Sequence, residues 1–202
     1  MANMTDALYI LDGSKRLHIS NTLDALREIA RIRPLQVAKR INADMFEQII
    51  QASYNSTRNQ VNANTFMNYF VNTTFNRQNR DAGKFIIIDE DLYNGQTDNN
   101  WVFGGKYQLE GDRLGMVLLS TARLANEAHA RHVAQHELGH LFGAPNPRRR
   151  DTYECLGTHC ADSDCIMHQE ISLQKSIQQA MAAARNGGAK FCTNCEGDIR
   201  RY

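Results

Sequence analysis

The chain of 202 residues is long enough for one domain with a full hydrophobic core. Its 42% hydrophobic and 22% charged residues, with only 3 prolines, exclude collagen-like and low-complexity proteins. The 23 basic and 22 acidic residues leave a net charge of +1, so we expect neither nucleic acid nor a membrane surface as a partner.

Apolar periodicity divides the first 80 residues into alternating strands and helices. A helical spacing of apolar residues follows Thr22, a suitable N-cap, and ends before Pro34, which cannot continue a helix. An asparagine-rich linker separates the next two helical segments. The predicted elements are a strand over 7–11, a helix over 23–33, a strand over 35–41, and helices over 44–52 and 63–75.

The second part of the chain begins with a clear buried strand, the β-branched run KFIIIDED at 84–91. Glycine and aspartate within 108–113 predict a turn between two further strands. Gly143 suits the left-handed position that follows a helix end. The predicted elements are strands over 84–91, 101–107 and 114–121, a helix over 124–142, an irregular loop over 144–158, a helix over 169–185 and a terminal knuckle over 192–195.

All five cysteines lie after residue 154. An odd number of cysteines that includes a CxxC pair favours thiolate metal ligation over a disulfide framework. The first ten residues carry no signal-peptide pattern, and no apolar run approaches the roughly 18 residues of a membrane span. We therefore expect a cytoplasmic protein, and we expect it to be a monomer.

His136, Glu137 and His140 form an HExxH sequence within the predicted helix over 124–142. Four residues at roughly 100° each bring both histidines to one helix face, where two neutral imidazoles can bind one zinc ion. Glu137 lies one step round the helix and can act as general base toward a water molecule. An exposed helix that carries these residues by chance is the alternative, but the apolar residues interleaved with the motif favour burial and hence a metal site.

A catalytic zinc usually takes three protein ligands, so a third ligand is required. His159, which directly precedes Cys160, is the first choice. His129 and His132 lie upstream on the same helix and are expected to be surface residues. The competing candidates are Asn146, His168, Glu154 and Glu170.

The order of these motifs resembles the archaemetzincins, a family of zinc-dependent peptidases in the metzincin clan. The family pattern is HExxHxxG, then a histidine-cysteine pair, four residues, a cysteine, one residue, a methionine, and later a CxxC. The resemblance covers roughly residues 84–195, and the first 80 residues carry no matching motif. The matching residues are His136, Glu137, His140, Gly143, His159, Cys160, Cys165, Met167, Cys192 and Cys195.

The resemblance implies two zinc ions per chain. The catalytic zinc would be held by His136, His140 and His159, with Glu137 as general base and Met167 in the turn beneath the metal. A CxxC redox pair or a disulfide is the alternative for the cysteines, and Cys155 is left over as a loop thiol. The implied ligands of the structural zinc are Cys160, Cys165, Cys192 and Cys195.

The sequence departs from the family in the spacing before the third histidine. The family places this histidine where Asn146 lies here, whereas fifteen residues separate Gly143 from His159. Because the histidine-cysteine pair is intact, we expect an insertion before the third ligand rather than its loss. The arginines at 148–150 are typical of a solvated loop, or of a surface that attracts an acidic substrate.

We therefore expect an α/β (α+β), metzincin-like catalytic domain with a twisted mixed β-sheet, an active-site helix and a C-terminal subdomain stapled by zinc. The single domain would span 1–202, with an N-terminal subdomain over 1–143 and a C-terminal subdomain over 144–202. The expected reaction is hydrolysis of peptide or protein substrates, which the resemblance implies would pair with the strand over 101–107. The alternative is a non-catalytic, zinc-stabilised binding module, for which Glu137 would not be needed.

Overall fold

The secondary structure comes from a computed structural model that describes residues 6–14, 19–40, 43–95, 101–155, 157–170 and 172–202. Seven helices and ten strands occur in these ranges. In chain order they are β1 (Asp6–Asp12), α1 (Ile19–Ile32), β2 (Leu35–Arg40), α2 (Ala43–Ser53), β3 (Tyr54–Asn55), β4 (Gln60–Asn62), α3 (Ala63–Val71), α4 (Thr74–Gln78), β5 (Gly83–Ile88), β6 (Leu92–Tyr93), β7 (Gly104–Tyr107), β8 (Met116–Ser120), α5 (Glu127–Leu141), β9 (Thr152–Glu154), β10 (Thr158–Cys160), α6 (Leu173–Arg185) and α7 (Thr193–Arg201).

The main sheet has five strands in the order β2-β1-β5-β8-β7. Strands β2, β1, β5 and β8 are parallel, and β7 pairs antiparallel with β8. Every residue of β5 is buried, as expected for a β-branched strand at the centre of a sheet with both faces covered. The predicted mixed α/β fold is confirmed.

The core beside this sheet contains aromatic side chains of α2 and α3. Phe46 stacks on Phe66 and Phe70, with ring centroids 6.1 and 6.4 Å apart. The single helix predicted over 63–75 is wrong, because the chain is divided there into α3 and α4. The Thr73 side chain accepts a hydrogen bond from the Asn76 N–H and so caps a new helix at this point.

The described residues fall into two compact units. One unit contains the described part of 1–17 together with 35–123, and the other contains the described part of 18–34 together with 124–202. The predicted subdomains divide the chain after residue 143, whereas these units divide it before α5 and place α1 with the C-terminal residues. Thr22 is buried inside α1, so its prediction as the N-cap is wrong.

Two further predictions are corrected in the C-terminal unit. The loop over 144–158 is not wholly irregular, because β9 and β10 form an antiparallel hairpin in which His159 pairs with Tyr153. The knuckle predicted over 192–195 is the start of helix α7, which buries Cys195 and Ile199. Among the described residues, no helix combines the length and apolar character needed to cross a bilayer.

The expectation that His129 and His132 are surface residues is also wrong. Their exposed fractions are 0% and 7%. His129 Nδ1 accepts a hydrogen bond from the Ala125 N–H at 3.2 Å, and its Nε2 lies 3.0 Å from Ser176 Oγ on α6. Because Nδ1 accepts, the neutral ring carries its hydrogen on Nε2, and a second hydrogen on Nδ1 would face a donor.

We expect acid to destabilise the protein through His129. Burial lowers the pKa of His129 from its ordinary value of 6.5 to about 4. Between these values the unfolded chain binds a proton that the folded chain does not, so stability falls as pH falls through this window. His129→Asn retains an acceptor for the Ala125 N–H but does not titrate, and its stability should fall less.

The measurement is the free energy of unfolding by urea at about pH 7 and about pH 4.5, with a chelator present so that metal loss does not contribute. An equal fall in stability for the wild type and His129→Asn would contradict the prediction.

Candidate metal centres

Three imidazole rings converge in the C-terminal unit. Helix α5 supplies His136 and His140, and strand β10 supplies His159. His140 Nε2 lies 3.1 Å from His136 Nε2 and 3.2 Å from His159 Nε2. The hairpin formed by β9 and β10 therefore brings the end of segment 144–158 back to the HExxH helix.

Backbone carbonyls orient these three rings. His136 Nδ1 donates to the Ile166 carbonyl at 2.7 Å, His140 Nδ1 to that of Ala144 at 3.1 Å, and His159 Nδ1 to that of Gly157 at 3.0 Å. Since a carbonyl only accepts, Nδ1 carries the hydrogen in each ring and the lone pair of each neutral ring is on Nε2. Three lone pairs consequently face one another.

Such an arrangement fits a metal ion. Two nitrogens bound to a tetrahedral zinc at about 2.05 Å lie roughly 3.3 Å apart, close to the separations observed here. Burial lowers the pKa of His136 to about 4 and that of His159 to about 3, so both rings are neutral at pH 7. Neutral imidazole is the form that binds zinc.

Glu137 lies next to these ligands on α5 and is only 7% exposed. Its Oε2 atom has no hydrogen-bond partner among the described residues. Burial raises the pKa of this carboxyl group to about 8, and a divalent cation bound nearby would lower it by favouring the charged form. A carboxyl group that exchanges a proton near neutral pH is suited to general acid-base chemistry.

The turn around Met167 contacts both segments that carry the histidines, strand β10 and helix α5. The Met167 carbonyl accepts a hydrogen bond from the Cys160 N–H at 2.9 Å, which fixes the residue that follows His159. Met167 is fully buried against Gly139 of the HExxH helix. A Cβ atom at Gly139 would lie 2.2 Å from Met167 Sδ and 2.8 Å from a ring carbon of Phe191. The glycine therefore permits this close approach.

Four cysteine side chains form a second cluster, in which all ligand atoms lie within 4.8 Å of one another. The Sγ atoms of Cys160 and Cys192 are 3.8 Å apart, which equals the roughly 3.8 Å expected for two thiolates on one tetrahedral zinc. A hydrogen bond from Cys195 lowers the pKa of Cys165 to about 6. The clustered cysteines are Cys160, Cys165, Cys192 and Cys195.

The structure thus brings together the seven residues predicted as ligands. None of the competing candidates belongs to the histidine group found among the described residues, Glu170 included. Asn146 is exposed and accepts from the Arg148 N–H, and His168 Nδ1 donates to the Cys160 carbonyl. Glu154 accepts a hydrogen bond from Thr158. Cys155 does not belong to the cysteine cluster.

The supporting role of Tyr153 was not predicted from the sequence. The Tyr153 hydroxyl donates to the Gln169 carbonyl and accepts from the Gln169 N–H. Its ring centroid lies 6.1 Å from that of His159. Alternating residues at 152–154 were the available signal for a strand, but three residues are too few to stand out by periodicity.

No family model matches the chain. The archaemetzincin of Nanoarchaeum equitans (strain Kin4-M) is 30% identical over 148 residues, which are 73% of this chain and 67% of that protein. The fold is similar to the archaemetzincin of Methanopyrus kandleri, with a TM-score of 0.68, 20% identity, and coverage of 98% of this chain and 94% of that one. A zinc-dependent peptidase of Methanocorpusculum labreanum (strain Z) gives a TM-score of 0.61 and 17% identity over 95% of this chain and 99% of that one.

Replacing Gly139 with alanine should destabilise the protein. Helix propensity favours alanine by up to about 1 kcal/mol, but overpacking against Met167 and Phe191 should cost about 1 to 3 kcal/mol. Gly197→Ala in α7 is the matched control, because its Cβ would meet only the flexible end of Arg201, at 3.2 Å. Urea unfolding of the metal-free proteins measures both changes. A Gly139→Ala protein as stable as Gly197→Ala would show that the methionine turn is not packed as described.

Proposed function

Because the chain belongs to the archaemetzincin family and is a zinc metallopeptidase, we propose that it hydrolyses peptide bonds with Glu137 as the general base. The observation that carries this role is the Glu137 carboxyl group, which is buried on the helix that supplies two of the three converging imidazoles and has an oxygen without a described hydrogen-bond partner. Burying a carboxyl group without a hydrogen-bond partner costs free energy, and a helix with only a structural role would gain nothing in return for that cost.

In the proposed reaction Glu137 accepts a proton from the attacking water and later donates it to the leaving amine. A zinc ion held by His136, His140 and His159 would supply Lewis acidity, which polarises the scissile carbonyl and makes the water more acidic. The carbonyls of Ile166, Ala144 and Gly157 keep the three rings oriented while the proton moves. No covalent enzyme intermediate is required.

Peptides or proteins are the proposed substrates. Strand β7 is an edge of the main sheet among the strands that the structure describes. An extended peptide could add a strand at such an edge through backbone hydrogen bonds. We propose this pairing as the means by which substrate backbone is bound.

We also propose two zinc ions in each chain, one at the histidines and a structural one at Cys160, Cys165, Cys192 and Cys195. The four-thiolate set leaves no coordination position open, which suits a structural role. A single domain over 1–202, a monomeric state and a cytoplasmic location stay predictions.

Replacing Glu137 with glutamine should abolish hydrolysis while leaving bound zinc unchanged. The variant keeps the shape of the side chain but cannot accept the proton, so we expect kcat/KM to fall at least about 100-fold. Cleavage of a mixture of fluorogenic peptides gives the activity, and atomic absorption gives the zinc content.

Glu127→Gln is the control, since Glu127 is an exposed glutamate in the first turn of the same helix and is expected to leave activity intact. Full activity of Glu137→Gln would exclude the proposed general base.

The purified protein should contain two zinc ions per chain. Cys192→Ser should lose the structural ion and should also retain the other ion more weakly, because Cys160 of the cluster directly follows His159. Dialysis against a graded series of chelator concentrations, followed by metal analysis, measures both effects. An unchanged affinity at the histidines in Cys192→Ser would show that the two sites are independent.

A further inference from the structure

Arg149 is the middle residue of the three arginines in the inserted segment 144–158. Arg148 and Arg150 are exposed, whereas the side chain of Arg149 is only 15% exposed. Its Nη1 atom lies 3.3 Å from Cys195 Sγ and its Nη2 atom lies 3.8 Å from Cys160 Sγ. The guanidinium group therefore faces the cysteine cluster.

Two carboxylates hold the guanidinium group in this position. Asp198 of α7, whose side chain is 1% exposed, accepts from Arg149 Nη1 at 2.6 Å and from the Asn146 N–H at 2.9 Å. Asp151 accepts from Arg149 Nε at 2.8 Å and from Asn194 Nδ2, inside the CxxC sequence, at 3.0 Å. Arg149 is thus joined to α7, which is capped by Cys192 and contains Cys195, directly through Asp198 and indirectly through Asp151 and Asn194.

The cluster needs positive charge beyond that of one divalent ion. Four thiolates outweigh the charge of such an ion by two, and three of the four cysteines are buried. Cys165 Sγ accepts hydrogen bonds from the Met167 and Cys192 N–H groups, at 3.4 and 3.3 Å. Arg149 is the cationic side chain that supplies N–H donors to the sulfurs of Cys195 and Cys160. Donors that carry charge form the stronger hydrogen bonds to ionised acceptors.

We infer that Arg149 is a positioning residue for the metal-bound cysteine cluster, where its guanidinium group offsets thiolate charge and slows loss of the ion. This inference rests on the proposed two-ion function. Since Cys160 directly follows His159, the contact also keeps the third histidine ligand at the end of its hairpin. Segment 144–158 thereby supplies a charged contact to the cluster.

The test uses the full chain loaded with cobalt(II) in place of zinc. Absorption in the near ultraviolet from thiolate-to-cobalt charge transfer reports the cysteine site separately from the histidine site and from activity. After addition of excess EDTA, Arg149→Gln should lose this absorption about 10 to 100 times faster than the wild type. This ratio of rates corresponds to the free energy of one hydrogen bond to a charged group. Arg149→Lys should lose it at an intermediate rate, because an ammonium group keeps the charge but not the two-pronged geometry.

Two control variants separate this role from a simple ion pair. Arg150→Gln removes an exposed neighbouring arginine, and it should lose the charge-transfer absorption at the wild-type rate and keep the wild-type wavelength. Asp151→Asn removes a carboxylate partner that is 43% exposed but leaves the N–H donors to sulfur, so its charge-transfer band should keep the wild-type wavelength. The band of Arg149→Gln should shift, because the charge beside the sulfurs is lost.

An Arg149→Gln protein with the wild-type rate and band position would overturn the inference while leaving the two-ion proposal standing. If Arg149→Gln does not fold, the same comparisons are made with Arg149→Lys. Absence of the charge-transfer band in the wild type would overturn the two-ion proposal and this inference with it.

Discussion

Three backbone carbonyl oxygens determine which way the histidine rings of the site face. Those of Ile166, Ala144 and Gly157 come from the methionine turn, the end of α5 and the inserted hairpin. Each accepts from an Nδ1–H and so leaves an Nε2 lone pair directed at the other rings. The HExxH spacing alone would leave the ring orientation and the tautomer open. Metal affinity therefore depends on the backbone of three separate segments.

Patterns that are local in sequence were sufficient to predict part of the fold and of the site. The first five residues of the run predicted at 84–91 lie in the buried strand β5, because their β-branched and aromatic side chains suit the interior of a sheet, whereas the acidic residues 89–91 follow the strand. Gly143 follows α5 with a φ of 78°, a conformation that glycine adopts without strain. Helical geometry places His136 and His140 on one face whatever surrounds the helix. These inferences needed no knowledge of the rest of the chain.

Features that depend on distant partners could not be predicted in this way. The hairpin of β9 and β10 is short, and the Tyr153 hydroxyl fixes it by bonding to the backbone of Gln169. His129 is buried because Ser176, 47 positions along the chain, accepts its Nε2 hydrogen. A histidine between two alanines has the same local sequence in a surface helix. The buried state follows from α6 packing on α5, which periodicity does not report.

The two clusters are already close to the dimensions that a bound ion requires. Nitrogen separations of 3.1 and 3.2 Å compare with roughly 3.3 Å around zinc, and the sulfur separation of 3.8 Å matches the expected value. Packing of Met167 against Gly139, together with the carbonyl contacts, supports the geometry of the histidine site. A site that needs little rearrangement loses little free energy to ordering on binding. Because the ion binds the folded chain more tightly than the unfolded one, that affinity also stabilises the fold.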